Sequence, residues 1–289
     1  LGKETFNLDL TKDLTINEID RYSSSFIADW ADPKVKDLFE ISDLKDRDNS
    51  VSFVANIHQR KTHDNAEHGF HLNAFTSADI VHLYLSQYFA ALFADFVLVE
   101  FFIRCKKAVR TLRPSFNLLI NKEYENQLIV EFSLEDESFH GELKFERNAF
   151  TKSEFITAID QPQDNSFLIK SIHLNKDTLI SCVDFTCSCR TQFGFGLGPG
   201  LILAIASQLV IIQLYAMSKV KVKKNGAVLV ACEIIKRNDF LSPGNLIVRS
   251  ELQNIRLSKK FPEYTIADVI CNFSDEKIIV KLTVLFDPF

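Results

Sequence analysis

One unit occurs twice in this chain, and it narrows the available folds more than any other feature. The segments LSQYFAALFAD (85–95) and ASQLVIIQLYA (206–216) align on a shared Ser-Gln pair inside long apolar runs. After the first come VLVEFFIRCKKAV (97–109), SFNLLINKEY (115–124), QLIVEFSLED (127–136) and SFHGELKFE (138–146). After the second come AVLVACEIIKRNDF (227–240), NLIVRSELQNIRLS (245–258), YTIADVICNFS (264–274) and KIIVKLTVLFD (277–287). Each series has a proline near its first turn, Pro114 and Pro243, and each closes on a hairpin with an acidic turn, LEDES and SDEK. A strand candidate precedes each helix, VSFVANIHQ (51–59) and SFLIKSIHL (166–174). A repeated unit dictates architecture, because each copy must bury the same apolar face.

Of the two apolar runs, Leu197–Met217 is long enough to span a bilayer. It carries Ser207, Gln208 and Gln213, lacks flanking aromatic belts and leads straight into strand sequence, while the run Ile80–Phe102 carries Asp95 and Glu100. A helix apolar on every side is equally at home inside a protein, so no membrane insertion is expected. A buried helix followed by an antiparallel meander suggests a sheet wrapped around the helix, the hotdog arrangement. The expected class is therefore α+β, a double hotdog of two antiparallel sheets, each around a long buried helix. Residues 1–48 are expected as an N-terminal extension, 49–155 as the first repeat and 156–289 as the second. The extension is acidic and partly helical in pattern (INEIDRYSSSFIADW, VKDLFEI), placed either to cap the sheet or to meet a partner.

Composition excludes some function classes. A net charge of −5 advertises no nucleic-acid partner. The 26 Phe residues suit a β-rich interior, as packed core or as the lining of an apolar tunnel. Six cysteines are scattered through a chain too large to need disulfide staples, and the opening LGKETFNLDLTKDL reads as no signal peptide, so a reducing, cytoplasmic setting is expected. Cys182, Cys187 and Cys189 invite a metal reading, but SCVDFTCSCR alternates like a strand and no CxxC or His pair completes a set; no metal is expected.

The second half resembles the β-hydroxyacyl thioester dehydratases of fatty-acid synthesis. GLGPGLILAIASQLVIIQLYA is similar to their proline-glycine turn entering the central helix, and RNDFLSPGNLIVRSEL to the strand–turn–strand that follows; the resemblance spans about 190–287. In the first half, HGFHLNAF (68–75) is similar to the His-Phe-Asn-Ala segment of FcoT-type long-chain acyl-CoA thioesterases, over four or five residues. Both resemblances imply acyl chains carried on CoA or acyl carrier protein, in fatty-acid or polyketide metabolism. They imply thioesterase or dehydratase chemistry, with CoA or phosphopantetheine present only as part of the substrate. The alternatives are a catalytically inactive module that binds an acyl chain or carrier protein, or an acyltransferase or decarboxylase of secondary metabolism. A double hotdog contains the pairing that single hotdogs obtain by dimerising, so a monomer or a homodimer is expected.

The resemblance places a His before the helix and a carboxylate on it. In the second half the corresponding loop holds Gln192 and Phe193, and Ala204 stands near the expected acid, so that half lacks the titrating pair elimination needs. In the first half, five of the seven histidines (58, 63, 68, 71, 82) fall between residues 58 and 82, beside Asp64, Glu67 and Asp79. Backbone N–H groups at the helix N-terminus are suited to a developing oxyanion. Here Asn73 would polarise the carbonyl or position a water. His71, or else His63 or Glu67, would act as base. Phe70, Phe75, Gly198 and Gly200 are the candidate substrate contacts. Thr76 and Asp79 fit a capping box, with Thr76 as N-cap, which accounts for both without catalysis. His82 lies one turn past Asp79, where pairing with Asp79 or Ser86 would account for it.

Overall fold

The computed structural model describes residues 6–22, 39–57, 74–88, 96–107, 109, 111–124, 126–147, 166–186, 190–191, 194–195, 199–218, 228–237, 244–274 and 276–286. The chain opens with β1 (Thr11–Asp13) and α1 (Ile16–Tyr22). The first repeat contains β2 (Phe39–Arg47), β3 (Ser50–Ile57), helix α2 (Ala74–Tyr88), β4 (Phe96–Cys105), β5 (Ser115–Tyr124), β6 (Gln127–Leu134) and β7 (Phe139–Arg147). The second contains β8 (Ser166–Asn175), β9 (Thr178–Thr186), the short β10 (Arg190–Thr191) and β11 (Gly194–Phe195), and helix α3 (Pro199–Met217). It ends with β12 (Val228–Lys236), β13 (Gly244–Leu257), β14 (Thr265–Phe273) and β15 (Ile278–Phe286).

The strand runs read after each helix are all present, in the expected order. Two separate sheets are not. One antiparallel sheet of 13 strands runs β1-β8-β9-β13-β14-β15-β12-β4-β7-β6-β5-β3-β2, with β10-β11 a hairpin apart. Its order is symmetric about the β12–β4 pair: β15, β14, β13, β9 and β8 lie on one side, β7, β6, β5, β3 and β2 on the other. The physical reason is the edge. Strands β4 and β12 would each end a separate sheet with a row of unpaired N–H and C=O groups. They pair instead, from Ala231 opposite Arg104 to Ile235 opposite Glu100. At that seam Phe101, Ile103, Cys232 and Ile234 are all buried.

Symmetry also corrects the strand that precedes the second helix. The counterpart of β3 is β9, the TLISCVDFT segment that contains Cys182, because β9 pairs with β13 as β3 pairs with β5. SFLIKSIHL forms β8, one strand farther out, as the counterpart of β2.

Alternation sets which face is buried. In β14 Thr265, Ala267, Val269, Cys271 and Phe273 point inward, and in β15 Ile278, Val280, Leu282, Val284 and Phe286 do the same. The two central helices lie against each other on this face. Helix α2 is fixed by Tyr84, whose ring stacks on Phe53 at 4.2 Å; Phe53 stacks on Phe116 at 5.3 Å. These rings are packed core. Helix α3 is long and apolar enough to cross a membrane, yet every residue but Ile211 and Ala216 is buried within the protein.

The N-terminal segment is split between the sheet's two edges. Strand β1 pairs with β8, Thr11 opposite Asn175 and Asp13 opposite His173. Phe6 buries beside Phe286, and Asn7 N–H donates to the Met217 carbonyl at 2.7 Å, so this segment covers the C-terminal end of α3. Helix α1 starts with a capping box: Thr15 N–H donates to Glu18 Oε2 at 3.0 Å and Glu18 N–H to Thr15 Oγ1 at 3.3 Å. Residues 39–41 of the VKDLFEI run belong to strand β2 rather than a helix, because their backbone groups are taken by β3, Phe39 opposite Ile57 and Ile41 opposite Ala55.

Candidate functional site

Each repeat presents a helix N-terminus where the chain crosses from strand to helix. In the second half Pro199 is the first helical residue, a position that needs no N–H. Gly200, a candidate substrate contact, follows it and is buried; Gly198 lies outside the described residues. In the first half α2 begins at Ala74. His63, Glu67, Phe70, His71 and Asn73 all fall in 58–73, outside the described residues, so they enter only as proposals below. Phe75, Thr76 and Asp79 are helical residues of α2. Thr76 is therefore not the N-cap: the helix starts two residues earlier, and an N-cap stands outside helical geometry while Thr76 is within it.

What the described residues do show is where polar groups are buried, and the two central helices differ. Helix α3 carries no histidine and no carboxylate. Its Gln213 is wholly enclosed and fully used: Nε2 donates to the Asp177 carbonyl at 2.7 Å, and Oε1 accepts from Ser250 Oγ at 2.6 Å. This pins the β8–β9 turn and β13 to the helix, which is structural work. Ala204 is buried where the resemblance expects a carboxylate, so an apolar methyl occupies that place. Among the described residues the buried Ser207 hydroxyl has no hydrogen-bond partner.

Helix α2 buries His82, which is 5% exposed. Burial first, and the nearby Lys236 ammonium second, push its imidazole down to about 3, so it is neutral at physiological pH. Lys236 is 8% exposed, although lysine is among the residues least often enclosed. It is the last residue of β12 and falls on the inward face with Cys232 and Ile234. It pairs with Ile278 of β15, and its neighbour Ile235 lies opposite Glu100 of β4. Lys236 therefore enters the core at the seam between halves, where its charge acts on a histidine of the other half. Sequence reasoning passed over it, yet the alternation Cys232, Ile234, Lys236 already put it on the buried face.

Cysteine chemistry is disfavoured at Cys105, Cys232 and Cys271. Burial pushes Cys105 up to about 12 and raises Cys232 and Cys271 further from the thiolate range, which leaves them poor nucleophiles. Among the described residues no three His, Cys, Asp or Glu side chains come together as a metal-binding group.

No protein-family model matches the chain, and no curated protein matches its sequence. Solved structures do resemble it. A protein from Thermobifida fusca assigned as a thioesterase II aligns at 13% identity and a TM-score of 0.49, covering 87% of this chain and 96% of its own. The first dehydratase of GphF aligns at 13% identity and 0.47, covering 86% and 97%. A hotdog-fold protein of unknown function from Alicyclobacillus acidocaldarius aligns at 9% identity and 0.47, covering 84% and 94%. The double-hotdog reading of this chain rests on its own repeat, on a strand order symmetric about β4 and β12, and on a buried helix in each half.

Proposed function

We propose that the chain acts on acyl thioesters carried on CoA or acyl carrier protein, by hydrolysis or β-hydroxyacyl dehydration, with one working site in the first half. The observation that carries this reading is the asymmetry between the halves. Helix α2 follows directly on the histidine-rich segment and buries a histidine, while α3 carries neither a histidine nor a carboxylate and has Ala204 in place of an acid. In this reading the thioester carbonyl meets the N-terminus of α2, Asn73 polarises it and His71 is the base, with His63 or Glu67 as the alternative base. Phe70 and Phe75 contact the acyl group, and Gly198 and Gly200 let the second half approach it. No cofactor beyond the carrier thiol is required.

The test is turnover of a panel of acyl-CoA and acyl-carrier substrates by wild type, His71→Ala and Asn73→Ala. Loss of turnover in both variants is expected; unchanged turnover in both removes this site. The lack of a histidine or carboxylate on α3 also favours a second reading, a module that grips an acyl chain without reacting. Saturable acyl-CoA binding with no turnover on any substrate would select it.

A further inference from the structure

The two halves share one topology, so an addition to one of them stands out against the other. Between the paired residues Tyr124 and Gln127, the tip of the β5–β6 hairpin has two residues, 125–126. Between their counterparts Arg256 and Ile266, the tip of the β13–β14 hairpin has nine, 257–265. The first half closes without this extension, so the fold does not require it. The added loop is held by its own hydrogen bonds. Ser258 N–H donates to the Tyr264 carbonyl at 2.9 Å, Tyr264 N–H to the Phe261 carbonyl at 2.9 Å and Phe261 N–H to Ser258 Oγ at 3.1 Å. Held this way, it leaves Phe261 41% and Leu257 39% exposed, with the Lys260 ammonium 5.3 Å from the Phe261 ring centre.

A second difference lies beside it, on the outer face of the sheet. In the first half the row Val97, Glu146, Gln127 crosses β4, β7 and β6, and Gln127 Nε2 donates to Glu146 Oε1 at 3.0 Å. The same row in the second half reads Val228, Leu285, Ile266, apolar throughout. Val228 is 55% exposed, and Leu285 and Ile266 are half-buried. The row continues to Arg256 and so into the extension. An apolar strip therefore ends in a basic tip. Lys259 and Lys260 are exposed and have no carboxylate partner among the described residues; Arg256 is held by Asp268, and Glu263 is the acid of the loop. The stretch 219–227 lies outside the described residues and outside this face. Its sequence carries Lys219, Lys221, Lys223 and Lys224, and its flanking residues Ser218 and Val228 both stand at this end, beside the Phe6, Phe286 and Leu285 positions.

We infer that this end of the second half docks on an anionic lipid surface, with Phe261 and Leu257 at the headgroup boundary and Lys259 and Lys260 on lipid phosphates. The inference goes beyond the acyl-thioester reading and does not depend on it. Aromatic rings settle at the bilayer–water boundary, and lysines are drawn to an anionic leaflet. Lysine meets phosphate as a point charge, whereas an acidic protein is gripped by arginine forks and by rings set in pockets. Arg256, the arginine of this face, is already committed to Asp268, so the chemistry favours lipid over an acidic protein. Helix α3 stays buried, so the docking is peripheral.

The experiment is cosedimentation of the full chain with vesicles of phosphatidylcholine alone or with about 30% phosphatidylserine, at about 0.1 M and about 0.5 M salt. Binding is expected to the anionic vesicles at the lower salt, and should be lost at the higher salt and on neutral vesicles. Lys259→Gln with Lys260→Gln should weaken it about 30-fold. Phe261→Ser should weaken it about 10-fold. Leu285→Glu with Ile266→Gln, which copies the row of the first half, should also weaken it and replaces the loop variants if those lower Tm. Lys45→Gln with Arg47→Gln, on β2 at the opposite edge of the sheet, should leave it within about 2-fold of wild type. Failure to bind anionic vesicles, or equal binding to neutral ones, overturns the inference. So do folded loop variants that bind as wild type does, or a loss in the β2 variant equal to that in the lysine variant. Binding to an acidic carrier protein through Lys259 and Lys260, with none to vesicles, would also overturn it and assign the face to a protein.

Discussion

Gln213 and Ser250 meet at 2.6 Å across the interior of the second half, the serine hydroxyl donating to the amide oxygen of a helix that is otherwise apolar. The Asp177 carbonyl completes the bridge and also accepts from Leu252 N–H at 2.9 Å. Replacing Gln213 by Leu strands the Ser250 hydroxyl, while Asp177 keeps one donor. A destabilisation of about 1–3 kcal/mol is expected in urea titration. Adding Ser250→Ala to the same chain should return part of it, since removing both partners abolishes the unpaired group.

Gly141 of β7 is the second sensitive point. A Cβ there would run into the Phe102 carbonyl oxygen and the Phe132 ring, whose stacking with Phe101 fills this part of the core. The carbonyl belongs to the backbone of paired strand β4 and cannot swing aside. Gly141→Ala should cost about 1–3 kcal/mol, visible as a fall in Tm with the spectrum of the folded state retained.

Stability should depend on pH through His82. Its folded-state value, about 3, lies below the ordinary 6.5, so the unfolded chain binds a proton that the folded chain refuses. The linked stability is full above about pH 6.5 and is lost as pH falls toward 3, at about 1.4 kcal/mol per pH unit from this one group. The wild type and His82→Leu should therefore converge or cross on acidification, with their difference in unfolding free energy plotted against pH carrying that slope. A difference that is flat across pH 4–6 would mean that His82 takes up its proton as readily folded as unfolded.

At the N-terminus, Thr15→Ala removes one side of the capping box on α1 and should cost about 1 kcal/mol locally. Amide exchange is the sensitive measurement. Residues 6–22 should lose protection while the β4–β12 seam keeps its own, because among the described strands β1 pairs with β8 alone, at the sheet's edge.

Much of the architecture was legible because it is local. The runs after each helix alternate with period 2 and became β4–β7 and β12–β15, and the run 199–217 is apolar on every side and became a buried helix. Pairing between edges is not local. Nothing in VLVEFFIRC or VLVACEIIK says that these two segments lie side by side, because an edge strand and an inner strand show the same alternation. The β8 and β9 segments were confused for a related reason, since both have strand patterns and only the ladder to β13 decides which is inner. Thr76 is a favoured cap residue by type, but the helix starts at Ala74, and residue type does not fix the turn at which a helix begins. Of the candidate site, the halves' difference in titrating groups could be read directly. Lys236 could have been found by carrying the alternation of β12 to its last residue; the pairing of His82 with Asp79 or Ser86 involves side chains outside the described ones, and the charge that acts on His82 from the far half is not legible in its own helix.

The β4–β12 seam has one more consequence. Two hotdogs on separate chains would be joined by mass action, and dilution would part them. Here the same ladder closes within one polypeptide, so its effective concentration is set by the tether and not by the solution. Midpoints of unfolding should not move with protein concentration. The two sides of the seam are also no longer copies of one another: a substitution at Lys236 alters a single place in the molecule, where in a symmetric pair it would have struck twice.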